Sequence, residues 1–288
     1  MASALEDSRQ LRRTARTSPG SLNGVGTIPA RGVLYPARLP TFHREPVVDD
    51  LTAFVRWFWI PEWDLAPGHT SRQHLIGFPA CNLVVEQGTT GISGPTTRAS
   101  HRDLTGRGWA VGALLRPAAV PTLVGDAAVL RDAHRPVEQP DLSSAVRAAM
   151  DADGSPAERR RAAVTAFGSW LRNRLGTPGG EALLANRVAE AAESHPALLS
   201  VTDLAAHVNL STRSLQRLTA RYIGLSPAAL MRRRRLQEAA ERLRRDPGLD
   251  LSALAHELGY ADHAHLTNDF RTTLGFTPSA YRRSLPHR

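Results

Sequence analysis

The chain has 288 residues, 42% of them hydrophobic, one cysteine and a formal charge of +9. That composition can fill the cores of one large or two ordinary domains and excludes a wholly disordered chain, while a lone cysteine excludes an internal disulfide or a cysteine-based metal cluster and points to a reducing compartment. No apolar run approaches the roughly 18–20 residues of a membrane span and no signal-peptide core is evident, so the expectation is a cytoplasmic protein without a membrane partner.

In chain order, residues 1–30 are polar, lack a hydrophobic period and are expected to be a disordered arm, with Arg9 to Arg16 in reach of phosphates. Residues 31–140 carry short β-rich runs between Gly and Pro turns, and are expected to form a sensor or dimerisation domain. Phe54 to Ile60, Asn82 to Glu86 and Trp109 to Leu115 read as strands. Residues 141–180 read as a helical linker, with helices over Leu142 to Met150 and Ala157 to Leu175. Val164, Phe167, Trp170 and Leu171 share a face of the second, and a break follows at Gly176 to Gly180.

Residues 181–288 contain an internal repeat. At an offset of 50, Leu204-Ala205 falls on Leu254-Ala255, Val208 on Leu258 and Asn209 on Gly259; at 51, Leu215 falls on Leu266, Gly224 on Gly275 and Ser226-Pro227 on Thr277-Pro278. Each copy reads as a short helix, a tight turn and a longer helix closed by glycine, the helix-turn-helix plan. Thr202 and Ser252 are the expected N-caps, and Asn209 and Gly259 suit a left-handed turn position. In the longer helix of the first copy, Leu215, Leu218 and Tyr222 share the inner face, opposite Arg213, Gln216 and Arg217. In the second, Leu266, Phe270 and Leu274 face inward, leaving His263, Thr267, Asn268 and Arg271 outside. Arg, Gln and Asn can each pair with base edges in the major groove, whereas Ser, Thr and His reach bases or phosphates. Between the copies, Pro227 to Arg245 is expected to be one spacer helix carrying Arg232 to Arg235, with a phosphate contact at Arg232 and others of the four, which wrap around the helix, solvated or paired with acids. It would set two recognition helices about 34 Å apart on one DNA face.

The sequence resembles the AraC/XylS family of bacterial transcription regulators over about residues 184–284. The matching residues are Asp203-Leu204-Ala205, Leu215-Gln216-Arg217, Gly224, Ser226-Pro227, Leu258-Gly259-Tyr260-Ala261-Asp262, Asp269-Phe270-Arg271 and Gly275-Phe276-Thr277-Pro278. The resemblance implies base reading by Arg213, Gln216 and Arg217 and by His263, Ala264, Thr267 and Asn268. It extends the expected DNA contacts to Ser211, Thr212, Ser214, Arg221, Asp262, His265 and Arg271. Two departures matter: Thr219 stands where the family usually has a bulky apolar residue, and Asn268 replaces a frequent arginine.

For residues 31–140, the resemblance implies a divergent cupin-like barrel that binds an effector or dimerises. His43, His69, His74, His101 and His134 do not show the paired spacing of a cupin metal site. Trp57 and Trp59 alternate on one strand face and are the candidate effector-pocket residues, with ordinary core as the competing reading. Cys81 lacks a neighbouring cation and reads as a buried structural thiol. His263 and His265, two apart on a helix, do not form a metal pair.

The expected architecture is α+β: an N-terminal β-rich cupin-like barrel, a helical linker and a C-terminal all-α domain with two helix-turn-helix units at 181–288. The expected function is a sequence-specific transcriptional regulator with no catalytic residue, metal or cofactor. Its partners would be double-stranded promoter DNA, RNA polymerase, an unidentified small-molecule effector and a second copy in a homodimer. The alternatives are a β-barrel enzyme fused to a DNA-binding domain, or an N-terminal domain that only dimerises.

Overall fold

The computed structural model describes residues 41–75 and 79–285. The arm at 1–30 and Arg9 to Arg16 lie outside the described residues. An antiparallel sheet comes first, followed by helices.

The strands are β1 (Thr41–Glu45), β2 (Val55–Asp64), β3 (Thr70–Leu75), β4 (Asn82–Glu86), β5 (Thr90–Ser93), β6 (Ser100–Thr105), β7 (Arg107–Leu115) and β8 (His134–Pro136). Six form one open ladder in the order β1-β2-β7-β4-β5-β8, and β3 pairs with β6 as a separate ribbon. Alternation along β2 sets its two faces: Phe58 and Ile60 are buried in the core, while Trp57 and Trp59 turn half-buried to the other side. Strand β7 is buried from Gly108 onward, as a central strand covered on both faces should be. The ribbon is polar, and its Arg72 and Asp103, directly opposed across the strands, make a two-pronged hydrogen-bonded ion pair with both contacts at 2.7 Å.

The helices are α1 (Val120–Leu123), α2 (Pro140–Asp151), α3 (Pro156–Arg174), α4 (Gly180–Ser194), α5 (Val201–His207), α6 (Thr212–Tyr222), α7 (Pro227–Arg245), α8 (Leu251–Glu257), α9 (His263–Leu274) and α10 (Pro278–Ser284). Helix α3 begins with a Ser155/Glu158 capping box and Pro156 in the first turn, where its missing N–H costs nothing. The helices read as a linker, α2 and α3, lie on the sheet: Phe167 packs 5.5 Å from Phe58 and Arg160 bonds Glu62 at 2.8 Å. Helix α4 is fastened there too. The Asn186 amide accepts from Ala118 N at 3.0 Å and donates to Ala53 O at 2.7 Å.

The apolar interior divides where the repeat does not. One core runs from Leu51 through the sheet, α2 to α6 and on to Leu230 and Met231; a second comprises Leu236 to Leu285. The first helix-turn-helix unit therefore shares its core with the sheet, and the second has its own. Helix α7 belongs to both, giving Leu230 to one and Leu236, Ala240 and Leu243 to the other. Among the described residues no helix is long and apolar enough to cross a membrane.

Candidate nucleic-acid interface

The two units are built by matching local chemistry. The turn between their helices closes with Leu210 N donating to Ala205 O at 2.9 Å in the first and Tyr260 N to Ala255 O at 2.9 Å in the second. Asn209 (φ 55°) and Gly259 (φ 74°) occupy the expected left-handed position, which favours Gly and tolerates Asn. The short helices begin two residues earlier than expected, with N-caps Ser200 and Asp250 rather than Thr202 and Ser252. Ser200 exchanges hydrogen bonds with Asp203, and Asp250 accepts from Ala253 N at 2.7 Å, so these side chains reach the first unpaired amides.

Recognition helix α6 buries Leu215, Leu218, Thr219 and Tyr222 and turns Arg213, Gln216 and Arg217 outward. Thr219 fits because its hydroxyl donates to Gln216 O at 3.2 Å, so no polar group is stranded in the core. Helix α9 buries Leu266, Phe270, Thr273 and Leu274. His263, Ala264, Asn268 and Arg271 are exposed and Thr267 half-buried.

The predicted contact residues divide by what the protein already asks of them. Ser211 caps α6, accepting from Ser214 N at 3.1 Å, and also donates to the Ser214 hydroxyl at 3.0 Å. Asp262 caps α9, accepting from His265 N at 2.7 Å, and the His265 ring stands edge-on 5.1 Å from Tyr260. Arg221 pairs with Glu181 at 2.9 Å. Arg271 donates to Asn268 at 3.1 Å, so the position where arginine is frequent holds an amide that orients its neighbour. Arg213, Gln216, Arg217 and His263 are exposed and have no side-chain hydrogen bond or ion pair among the described residues; Thr212 is exposed beside them.

The consecutive arginines Arg232 to Arg235 of α7 behave differently. Arg232 pairs with Asp269 of α9 at 3.3 Å, and Arg233 is buried and donates to Thr96 O at 2.6 Å. Burial pushes the Arg233 guanidinium down to about 10, partly offset by the charge of Asp132. Arg234 and Arg235 donate to the carbonyls of Leu198 and Leu199, in the loop before α5. The run makes internal contacts: Arg232 has the acid partner expected of some of the four, and the other three donate to main-chain carbonyls.

Residues 204–284 match the helix-turn-helix domain family known as HTH_18, across both units. The chain carries an AraC-type helix-turn-helix domain. Residues 43–135 match a domain of unknown function (DUF6597). An uncharacterised HTH-type transcriptional regulator, YfiF of Bacillus subtilis (strain 168), is 32% identical over 84 residues, 29% of this chain. The match spans only about a quarter, 26%, of that relative. Among solved structures, the C-terminal domain of AraT, a response regulator from Geobacillus stearothermophilus, is 24% identical with a TM-score of 0.33, covering 36% of this chain and 88% of that one. ToxT from Vibrio cholerae is 9% identical with a TM-score of 0.41, covering 80% and 99%.

Outside the AraC-type domain, Trp57 and Trp59 are engaged by protein. The guanidinium groups of Arg44 and Arg56 each lie 4.7 Å from the Trp57 ring. Trp59 donates to Asn82 Oδ1 at 3.0 Å and lies over Gly112, its cross-strand partner, where any side chain would overlap the indole. Neither lines the polar cavity of about 620 Å3 at the end of the sheet, bordered by Glu62, Trp63, Arg107, Trp109 and Arg159, nor the cavity of about 90 Å3 bordered by Leu114, Arg116, Ala189 and Leu230. The face these two tryptophans share is the one turned away from the Phe58 and Ile60 core, and on it they contact Arg44, Arg56, Asn82 and Gly112. Cys81 is buried, and burial pushes its thiol up to about 12.

Proposed function

We propose that this chain is a sequence-specific DNA-binding transcriptional regulator that uses α6 and α9 as paired recognition helices in successive major-groove segments. The observation that carries this is the division of labour among the polar side chains. Arg213, Gln216 and Arg217 project from the AraC-type domain uncommitted, while the α7 arginines are engaged in internal contacts. Arg213, Gln216, Arg217, His263, Ala264, Thr267 and Asn268 read bases in this account, and the helix ends at Ser211 and Asp262 approach the backbone.

The sheet with α2 to α4 is the sensing part: it responds to a small molecule and supports a cytoplasmic homodimer, and the change is passed to DNA-bound geometry and to RNA polymerase. Its shared core with the first unit supports this, because a change in the sheet reaches α6 without crossing a flexible joint. The reading is tested by titrating the full chain against upstream DNA of its own and neighbouring genes over a salt series. Binding at physiological salt that favours one site by about a thousandfold or more supports it; uniform, sequence-indifferent binding overturns it.

A further inference from the structure

Two loops of the sheet region are zipped together beside the helices. Residues 94–99 follow β5 and residues 127–133 precede β8; between them Gly94 N donates to Ala133 O and Asp132 N to Pro95 O, each at 3.0 Å. One Asp132 carboxylate oxygen accepts from Thr97 N and the other from the Thr97 hydroxyl, both at 2.5 Å. The Thr96-Thr97 segment is thereby fixed to Arg131-Asp132.

This loop pair meets the helical half at three places. Arg131 donates from Nε to Gly224 O at 2.9 Å, just past the end of α6. Arg233, in the first half of α7 and 3% exposed, donates to Thr96 O at 2.6 Å. Ala99 packs beside Gly275, which closes α9, 3.4 Å from the place a Cβ would take there. The loops therefore touch the C-terminal ends of both recognition helices, opposite the N-caps Ser211 and Asp262. Arg213, Gln216, Arg217 and His263 stay exposed.

The two units meet α7 through different cores, Leu230 in one and Leu236, Ala240 and Leu243 in the other, so a tilt of one core against the other changes the separation of α6 and α9. A third body in contact with both helix ends opposes that tilt. Arg233 makes the hold selective for one arrangement, because a guanidinium out of water depends on its acceptor and on a nearby negative charge, here that of Asp132. A small displacement of α7 from the loop strands the cation, whereas an exposed pair would yield at little cost.

We propose that Arg131, Asp132 and Arg233 are positioning residues which, with the segment from Thr96 to Ala99, brace α6 against α9, so that the sheet region fixes the spacing between the two DNA blocks the chain reads. This rests on the reading above that α6 and α9 are paired recognition helices. One added base pair moves the second block by about 3.4 Å and turns it by about 35°. A braced pair of helices tolerates that poorly; an unbraced pair tolerates it better while reading the same bases.

The test measures affinity of the full chain for the two-block DNA obtained by selection from randomised sequence, and for the same DNA with one base pair inserted or removed between the blocks. Wild type should bind each altered spacing at least about tenfold more weakly. Arg131→Met and Arg233→Met should each narrow that loss to about threefold or less, with base preferences inside each block unchanged. Arg233→Lys keeps a cationic donor for Thr96 O and should retain most of the spacing preference. Arg131 is exposed, so its variant removes one arm of the brace without opening a core. General destabilisation would lower affinity for the three DNAs alike and leave their ratio unmoved. A ratio equal to wild type in both Met variants overturns the brace and leaves the spacing to the contacts of Arg232, Arg234 and Arg235; a wild type indifferent to spacing overturns it as well. In both cases site-specific binding would leave the regulator reading standing, whereas selection that returns no preferred sequence overturns that reading and the brace with it.

Discussion

Arg131 donates through Nε to the main-chain oxygen of Gly224 at 2.9 Å, so the turn that closes the sheet region grips the residue that ends the first recognition helix. Gly224 has φ 79°, and a Cβ there would lie 2.6 Å from the backbone carbon of Ala127. The counterpart in the second unit, Gly275, has φ 86° but meets only the Ala99 side chain, at 3.4 Å. Gly224→Ala carries backbone strain and a clash with main chain, Gly275→Ala mostly the strain. We expect both to lower stability, by about 1 kcal/mol for Gly275→Ala and about 2–4 kcal/mol for Gly224→Ala. Chemical denaturation checks the order; equal losses would mean that the close packing at Ala127 does not form.

The split interior predicts separable unfolding. Phe270→Ala empties a fully buried site in the second core and should cost about 3–5 kcal/mol. Hydrogen exchange should accelerate across α8 to α10 while amides of β7 and α4 stay protected. Leu204→Ala, in the first core, should loosen the sheet and α6 together. Uniform acceleration in both variants would show one cooperative core.

Asp132 links acidity to the same docking region. Its carboxylate accepts from Thr97 N and from the Thr97 hydroxyl, both at 2.5 Å. Burial pushes its pKa up, but the Thr97 bonds and the charge of Arg98 outweigh this and hold it below the usual 3.8. A depressed carboxylate contributes stability above its unfolded value and loses that contribution as pH falls through the folded one. Asp132→Asn tolerates the left-handed backbone at φ 56°. The stability gap between wild type and this variant should therefore be full at neutral pH and close below about pH 4, as followed by denaturation at each pH.

Arg232 separates two roles that the sequence merged. As a phosphate contact, its loss would weaken all DNA sequences alike and reduce the salt slope by about one. As the partner of Asp269 it orients α9. Arg232→Ala is expected to lower affinity modestly with the salt slope nearly unchanged, and Asp269→Asn should reproduce the effect. A slope reduced in Arg232→Ala alone would restore the phosphate role.

The helical half was legible because duplication made each weak signal appear twice. Asn209 and Gly259, or Gly224 and Gly275, are ambiguous singly and decisive as pairs. The caps slipped to Ser200 and Asp250 because residue type alone does not say which side chain faces the free amides. In the sheet, apolar β2, β4 and β7 stood out, whereas polar β3 and β6 have mostly exposed side chains at the described positions and no hydrophobic alternation to betray them. Trp57 and Trp59 share one face, as alternation along a strand dictates, but which face is inner depends on Phe58, Ile60 and the helices that cover them. Arg116 at the end of β7 and the pair Arg234 and Gln237 on α7 are far apart in sequence, and only packing brings them to the same seam.

The most direct test of the account is base preference measured by selection from randomised DNA with the wild-type chain, with Arg217→Ala and with Asn268→Ala. We predict two preferred blocks about 10 base pairs apart, with Arg217→Ala relaxing one block and Asn268→Ala the other, each by about 1–3 kcal/mol at the affected base. If both variants relax the same block, or both lose affinity equally on every sequence, α6 and α9 are not paired readers of one DNA face.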